Sequence, residues 1–130
     1  MQYLRRLFFI PSALFALNVA ALVAQDAPLT FQGDVAPIFA ANCLACHAEA
    51  AQAGLDLRTV ESILKGGASG PAVVPGNSAD SLLMDKIVSG QMPPGPNRLA
   101  EAQIDIIRTW IDETLAAKED LKASAADVDF

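Results

Sequence analysis

The stretch Cys43–His47 reads Cys-Leu-Ala-Cys-His, and the interpretation of the whole chain depends on it. Two thiols at this spacing can form thioether bonds to the two vinyl groups of haem, and the adjacent imidazole can bind iron from one axial side. A gap of two residues lets one helical turn present both sulfur atoms and the histidine to the same porphyrin edge. The pattern predicts one covalently bound haem c, attached through Cys43 and Cys46, with His47 as the proximal iron ligand.

Two other kinds of site use the same cysteine spacing, namely thioredoxin-like redox pairs and zinc sites. A zinc site needs further ligands, and the whole chain has two cysteines and one histidine. A thioredoxin-like site needs a βαβ context, and no segment shows a sustained alternation of apolar and polar residues. Haem attachment is therefore favoured, and a dithiol or a chance match is the alternative.

Residues 1–24 differ in character from the rest of the chain. A pair of arginines precedes an apolar run that ends in small residues, which is the pattern of a secretory signal peptide. Cleavage after Ala21 or Ala24 would give an exported, periplasmic protein. An uncleaved membrane anchor is the alternative, because the run approaches the length needed to cross a bilayer. In an oxidising compartment, thioether bonds to haem would keep the two thiols from pairing with each other.

The chain is acidic, with nine Lys and Arg against fifteen Asp and Glu and a formal net charge of −6. Two of the basic residues and none of the acidic ones lie in residues 1–24, so the remainder carries seven against fifteen, or −8. This charge disfavours binding to nucleic acid and to anionic membrane surfaces. The negative charge would suit redox partner proteins with a basic docking surface. Alternatively, it serves only to keep the protein in solution, and this explanation accounts for it equally well. A monomer is expected, with membrane contact only if the leader is uncleaved.

Beyond the leader, the apolar spacing predicts short helices joined by long loops, and therefore an all-α fold. The expected helices run from Phe31 to the Cys43–His47 motif, from Thr59 to Lys65, over about 79–88, and from Glu101 to about Ala116. Asp34 is the expected cap of the first helix, and Asn77 or Ser78 that of the third. A loop rich in glycine and proline over 66–77 separates the second helix from the third.

His47 is the only histidine in the chain, which excludes a second imidazole on the same haem within a monomer. Two methionines follow the leader. Met84 lies in the apolar stripe of a predicted helix and is expected in the core. Met92 lies in a loop beside Pro93 and Pro94, where its side chain has no helical face to join. We predict Met92 as the distal iron ligand, because thioether ligation favours reduced iron and suits electron transfer.

A ligating histidine usually donates its second ring N–H to a neighbouring acceptor. The loop over 66–77 can approach a flat ligand closely because its glycines lack side chains, and the carbonyl of Pro71 is the predicted acceptor. Arg58 and Lys65 are candidates to reach a haem propionate, although a solvated charge is the simpler interpretation of each.

The order of these motifs resembles that of a class I c-type cytochrome, and more closely that of the planctomycete-type cytochrome c domain. The resemblance spans about residues 31–115. The residues that carry it are Phe31, Val35, Pro37–Phe39, Asn42–His47, Gly54–Arg58, Gly66–Gly67, Gly70–Pro71, Val74–Gly76, Ser81–Leu83, Met92–Pro94 and Trp110–Ile111. Two departures are Ala100, where a capping Ser or Thr is usual, and Val35, where many class I cytochromes have glycine.

The resemblance implies short helices and loops wrapped around one haem, with His47 and Met92 as axial ligands and Phe39 near Trp110. Together with the leader pattern and the polar composition after Lys118, it divides the chain into a signal peptide (1–24), a lead-in (25–30), a cytochrome c domain (31–117) and a flexible polar tail (118–130). The implied function is one-electron transfer, without enzymatic activity. A gas-binding or sensing protein with a displaceable Met92 is the alternative. Peroxidase-like catalysis is disfavoured because the chain has no second histidine.

Overall fold

A computed structural model of the chain describes residues 27–118. The predicted leader and the predicted tail after Lys118 lie outside the described residues. Helix α1 begins as a π-type turn at Phe31–Val35 and continues as Ala36–Asn42, α2 spans Val60–Lys65, α3 spans Leu82–Val88, and α4 runs over Glu101–Thr109 and continues as a π-type segment, Trp110–Leu115. A short 3-10 turn, Gln52–Gly54, lies between α1 and α2. Residues 27–118 contain no β-strand beyond one isolated bridge, between Gly67 and Gly70. The predicted all-α class is confirmed.

No helix within residues 27–118 is both long enough and apolar enough to cross a bilayer.

The first two helices begin with side chains that satisfy free backbone N–H groups. Thr30 caps α1, and its hydroxyl accepts a hydrogen bond from the Gly33 N–H at 3.0 Å. The prediction of Asp34 as the cap is wrong, because the Asp34 carboxylate reaches back and accepts from the Thr30 N–H at 2.7 Å. Thr59 caps α2 as predicted, in a reciprocal arrangement with Ser62.

Helix α3 begins three residues later than the predicted start at 79, because the polar side chains before it bind elsewhere. The backbone N–H and the hydroxyl of Ser78 donate to the two carboxylate oxygens of Asp112, at 2.6 and 2.8 Å. The buried hydroxyl of Ser81 donates to the Asn77 carbonyl and accepts from the Val74 N–H. These contacts hold residues 78–80 in a turn.

Helix α4 begins at Glu101 as predicted, although Ala100 has no side chain that can cap it. The Gln103 side chain instead accepts a hydrogen bond from the Ala100 N–H at 3.0 Å. Further along α4, the Ile111 carbonyl accepts from the Gly76 N–H at 2.9 Å. The loop before α3 is therefore docked on α4 through backbone and side-chain hydrogen bonds.

The core lies where α1 meets α4, and α3 also packs on α4. The Phe31 ring contacts two fully buried rings, with centroid distances of 6.2 Å to Phe39 and 5.5 Å to Trp110. Phe31 thus connects the two residues whose proximity the resemblance implies. Met84 is buried in this core, as predicted from its place in an apolar stripe. The buried apolar residues are Phe31, Val35, Ile38, Phe39, Leu57, Ile63, Val73, Leu83, Met84, Ile87, Leu99, Ile104, Ile107, Trp110, Ile111 and Leu115.

The Asp112–Ser78 contact gives a direct test of how the loop is held. We expect Asp112→Ala to lower the free energy of unfolding of the protein by about 1–3 kcal/mol, because two partly buried donors lose a charged acceptor. Denaturant unfolding measures the change. The matched control is Glu113→Ala, an adjacent exposed carboxylate on the same helix, which should change the value by less than about 0.5 kcal/mol. Equal losses in the two variants would contradict the assignment.

Candidate functional site

The Cys43–His47 stretch forms a single turn directly after α1. The Cys43 N–H donates to the Phe39 carbonyl at 2.8 Å, which continues the hydrogen bonding of α1 by one residue. The Cys43 carbonyl then accepts from the N–H groups of Cys46, at 3.1 Å, and His47, at 2.9 Å. The turn predicted from the two-residue gap is present, and it groups the two cysteines and the histidine.

The segment after this turn is folded tightly against it. The Gln52 N–H donates to the Cys46 carbonyl at 3.1 Å, and the Leu57 N–H donates to the His47 carbonyl at 2.8 Å. Two alanines here adopt left-handed backbone conformations, with φ of 38° at Ala51 and 56° at Ala53. Such conformations cost roughly 1–2 kcal/mol for a residue with a Cβ atom. The fold therefore tolerates backbone strain beside the motif, as is common near functional sites.

The motif forms one side of an apolar cleft that encloses about 1000 Å³ of empty space, part of it open to solvent. Cys43, Cys46 and His47 line this cleft, and Met92 lines it from the loop between α3 and α4. The remaining lining is largely apolar and includes Leu55, Leu57, Ala72, Leu83, Ile87 and the two prolines after Met92. Four of the five predicted site residues thus come together from two distant parts of the chain.

The fifth predicted site residue, Pro71, makes no hydrogen bond to the histidine. The Nδ1 atom of His47 is buried and has no hydrogen-bond partner, so the predicted contact with the Pro71 carbonyl is not formed. The loop closes on itself through reciprocal backbone bonds of 3.0 Å between Gly67 and Gly70. On its other side, the Ala72 carbonyl accepts from the Leu83 N–H at 2.8 Å. Pro71 is therefore fixed between two segments that are bonded to other partners.

The electrostatics of the cysteines disfavour a redox dithiol. The two form no disulfide with each other, and burial together with the nearby Cys46 raises the pKa of Cys43 to about 11. Dithiol oxidoreductases depend on a thiol whose pKa is lowered, since the thiolate is the reactive form. Within residues 27–118, no three His, Cys, Asp or Glu side chains lie together as a zinc site would need. The two alternatives to haem attachment thus gain no support from the geometry.

Within residues 27–118, Lys86 is the one charged residue that lines the cleft, and it was not predicted from the sequence. Its place was detectable, because Lys86 follows the lining residue Leu82 by four positions and so shares its helix face. Neither Arg58 nor Lys65 lines the cleft. The Arg58 guanidinium is instead bound by the carboxylates of Asp56, at 2.9 Å, and Glu49, at 3.1 Å. This pairing lowers the pKa of Asp56.

The residues that line the cleft fit a covalently bound haem. Two thiols and an imidazole occupy one turn, and a thioether side chain reaches the same cavity from a separate loop. His47 lines the cleft, and its imidazole can supply a nitrogen ligand to iron. The apolar lining suits the faces of a macrocycle, and Lys86 supplies a positive charge for a carboxylated edge.

Comparison with known proteins identifies the same part of the chain. Residues 43–96 match the family model described as Planctomycete cytochrome C. No curated protein and no solved structure matches the chain. The matched segment begins at Cys43, at the start of the haem-attachment motif, and extends past Met92 to the end of the proline-rich loop. The resemblance inferred from the sequence to a planctomycete-type cytochrome c domain is confirmed over residues 43–96.

Proposed function

We propose that this protein is an exported one-electron carrier with a single haem c. Cys43 and Cys46 hold the haem through thioether bonds, and His47 and Met92 are its axial ligands. The observation that carries the proposal is that these four side chains, from two distant segments, line the same apolar cleft. Bound haem supplies the ferrous–ferric couple, which no side chain of the chain can provide.

Both backbone polar groups of His47 are hydrogen bonded. Its N–H donates to the Cys43 carbonyl and its carbonyl accepts from the Leu57 N–H, so the main chain that carries the imidazole has little freedom. The same turn sets the spacing of the two cysteines. A ligand held in this way keeps its place in both oxidation states of the iron, which keeps the structural change on electron transfer small.

The two methionines differ in a way that favours Met92 as the distal ligand. Met84 is 4% exposed and packed in the core, whereas Met92 is 40% exposed and lines the cleft. The Met92 N–H donates to the Lys86 carbonyl at 2.9 Å, which fixes its backbone to the last turns of α3. Pro93 and Pro94 stiffen the chain after it. An apolar thioether left exposed at a cleft would be covered by the macrocycle.

The other lining side chains exclude water from the proposed haem faces. Leu57, Leu83 and Ile87 are each less than a tenth exposed, and each lines the cleft. A dry, apolar environment disfavours the extra positive charge of ferric iron and so raises the reduction potential. The edge nearest Cys43 and Cys46 is the proposed port for electrons.

Lys86 is the residue that we propose compensates the propionate charge of the haem. Its ammonium donates to the Gln91 side chain at 2.8 Å and lies 3.7 Å from the Asp85 carboxylate. Its side chain is 38% exposed, so it has access both to the cleft and to solvent. This assignment replaces Arg58 and Lys65, which do not line the cleft.

Export and partners follow from the sequence features outside the cleft. The signal-peptide pattern over 1–24 supports a periplasmic location, where covalent attachment keeps the haem from being lost. The net charge of −8 beyond the leader suits redox partner proteins with a basic docking surface. We propose a monomer that meets these partners by diffusion and catalyses no reaction of its own.

The exposure of Met92 also favours a second candidate function, the binding or sensing of a diatomic gas after Met92 leaves the iron. Carbon monoxide separates the two functions. A carrier in which Met92 stays bound should react slowly with carbon monoxide when reduced at neutral pH. Rapid and tight binding by the unmodified protein would favour the gas-binding function over the carrier.

The ligand assignment predicts a clear difference between the two methionines. In Met92→Ala, we expect the methionine–iron charge-transfer band of the oxidised protein to disappear, because the thioether is removed from the iron. Met84→Ala, the matched control, should keep the band and instead lower the free energy of unfolding by about 2–5 kcal/mol through a core cavity. Visible absorption spectra and denaturant unfolding measure the two effects. Loss of the band in Met84→Ala alone would overturn the assignment.

The proposed role of Lys86 predicts a shift in the reduction potential. Lys86→Gln removes a positive charge at the cleft, which makes ferric iron relatively more stable. We expect the potential to fall by an amount on the order of tens of millivolts. Lys65→Gln, the same change at an exposed residue that does not line the cleft, is the control for net charge. Potentiometric titration of both variants measures the shift, and an equal effect at the two positions would contradict the role.

A further inference from the structure

The loop that carries Met92 is closed at its base by a contact between Gly90 and Arg98. Gly90 follows α3 and has a left-handed backbone with φ of 72°. A Cβ atom at Gly90 would occupy the same space as the Arg98 guanidinium. The guanidinium therefore lies directly against the Gly90 backbone, at a position that only glycine leaves open. Residues 91–97 form the loop between these two ends.

The near limb of this loop, residues 90–92, is hydrogen bonded to α3. The Gly90 N–H donates to the Ile87 carbonyl at 3.0 Å, and the Met92 N–H donates to the Lys86 carbonyl at 2.9 Å. The Gln91 side chain accepts from the Lys86 ammonium at 2.8 Å. Three hydrogen bonds thus fix the chain up to Met92.

The far limb has no comparable anchor. Residues 93–97 make no backbone hydrogen bond to the rest of the described chain, and all of them except Pro93 are exposed. The chain rejoins the core only at Leu99, which is 7% exposed. The contact of Arg98 with Gly90 lies between the free limb and this point. This contact therefore brings the end of the loop, at Arg98, back to Gly90, where the loop begins.

We propose that Arg98 is a positioning residue that closes the Met92 loop and so keeps the Met92 thioether at the cleft. The inference rests on the proposed function, because it assigns Arg98 a role in axial ligation. The planar guanidinium packs against the Gly90 backbone, and a Lys side chain has no planar group that could replace it. Without this contact the loop has more conformations, and the thioether leaves the iron more often.

The test uses the mature haem protein and carbon monoxide as the probe. Binding to the reduced protein requires Met92 to leave, so its rate reports how often the loop opens. We expect Arg98→Ala to bind carbon monoxide roughly three- to tenfold faster than the unmodified protein, the size expected for losing one packed surface contact. The matched control is Arg108→Ala, a partly exposed arginine on α4 that pairs with Asp105, and its rate should equal that of the unmodified protein.

A second variant tests the contact from its other side. Gly90→Ala displaces the guanidinium even though Arg98 is retained, and it should also speed carbon monoxide binding. In the double variant, Gly90→Ala should add less than it does alone, because the side chain that it displaces is already absent. Additive effects of the two substitutions would overturn the proposed contact.

The outcomes separate this inference from the proposed function. An unchanged rate in Arg98→Ala, with slow binding by the unmodified protein, overturns the role of Arg98 and leaves the carrier intact. Binding by the unmodified protein as fast as that of Met92→Ala shows that Met92 is not a bound ligand, which overturns both. Faster binding in Arg98→Ala and Gly90→Ala, with Arg108→Ala unchanged, supports the inference.

Discussion

The structure depends on one turn, in which the Cys43 carbonyl accepts hydrogen bonds from the N–H groups of Cys46 and His47. At its start the turn is bonded to α1, through the Cys43 N–H and the Phe39 carbonyl. At its end the His47 carbonyl accepts from the Leu57 N–H. Because these bonds are all backbone bonds, the positions of the two thiols and the imidazole are set by the fold. Met92 and the apolar side chains of the site line the same cleft as this turn.

The opposite side of the cleft is a loop with few backbone hydrogen bonds. Met92 lies in a loop whose stiffness comes from proline and whose start is tied to Lys86. The turn is held by hydrogen bonds along its length, whereas the loop is hydrogen bonded to α3 up to Met92 and makes no backbone hydrogen bond over residues 93–97. A histidine held by backbone bonds on one side and a methionine tethered to α3 on the other support the proposed six-coordinate haem, which would exchange electrons without exchanging ligands. The lining between them is largely apolar.

Local patterns made much of this architecture predictable. The two-residue gap predicted the turn, Thr59 and the following glycines predicted α2, and the apolar stripe around Met84 predicted its burial. The errors came from contacts that local patterns do not encode. Asn77 or Ser78 was expected to cap α3, but Ser78 binds Asp112, which lies far along the chain, and the Asn77 side chain accepts from the Asp80 N–H in the turn before the helix. Pro71 was expected to face His47, but the paired glycines before it fold that loop on itself. Local spacing shows which side chains share a helix face, whereas only the packed fold shows which distant residue a side chain meets.

The most direct test of the central claim is the mass of the mature protein produced with a haem-attachment system. We expect the intact protein to carry the mass of one haem, and the peptide that contains Cys43–His47 to retain that mass after acid extraction with an organic solvent. Its pyridine haemochrome spectrum should show two thioether bonds. A protein without haem, or one whose haem is removed by the extraction, would contradict covalent attachment at Cys43 and Cys46, and with it the account of the cleft.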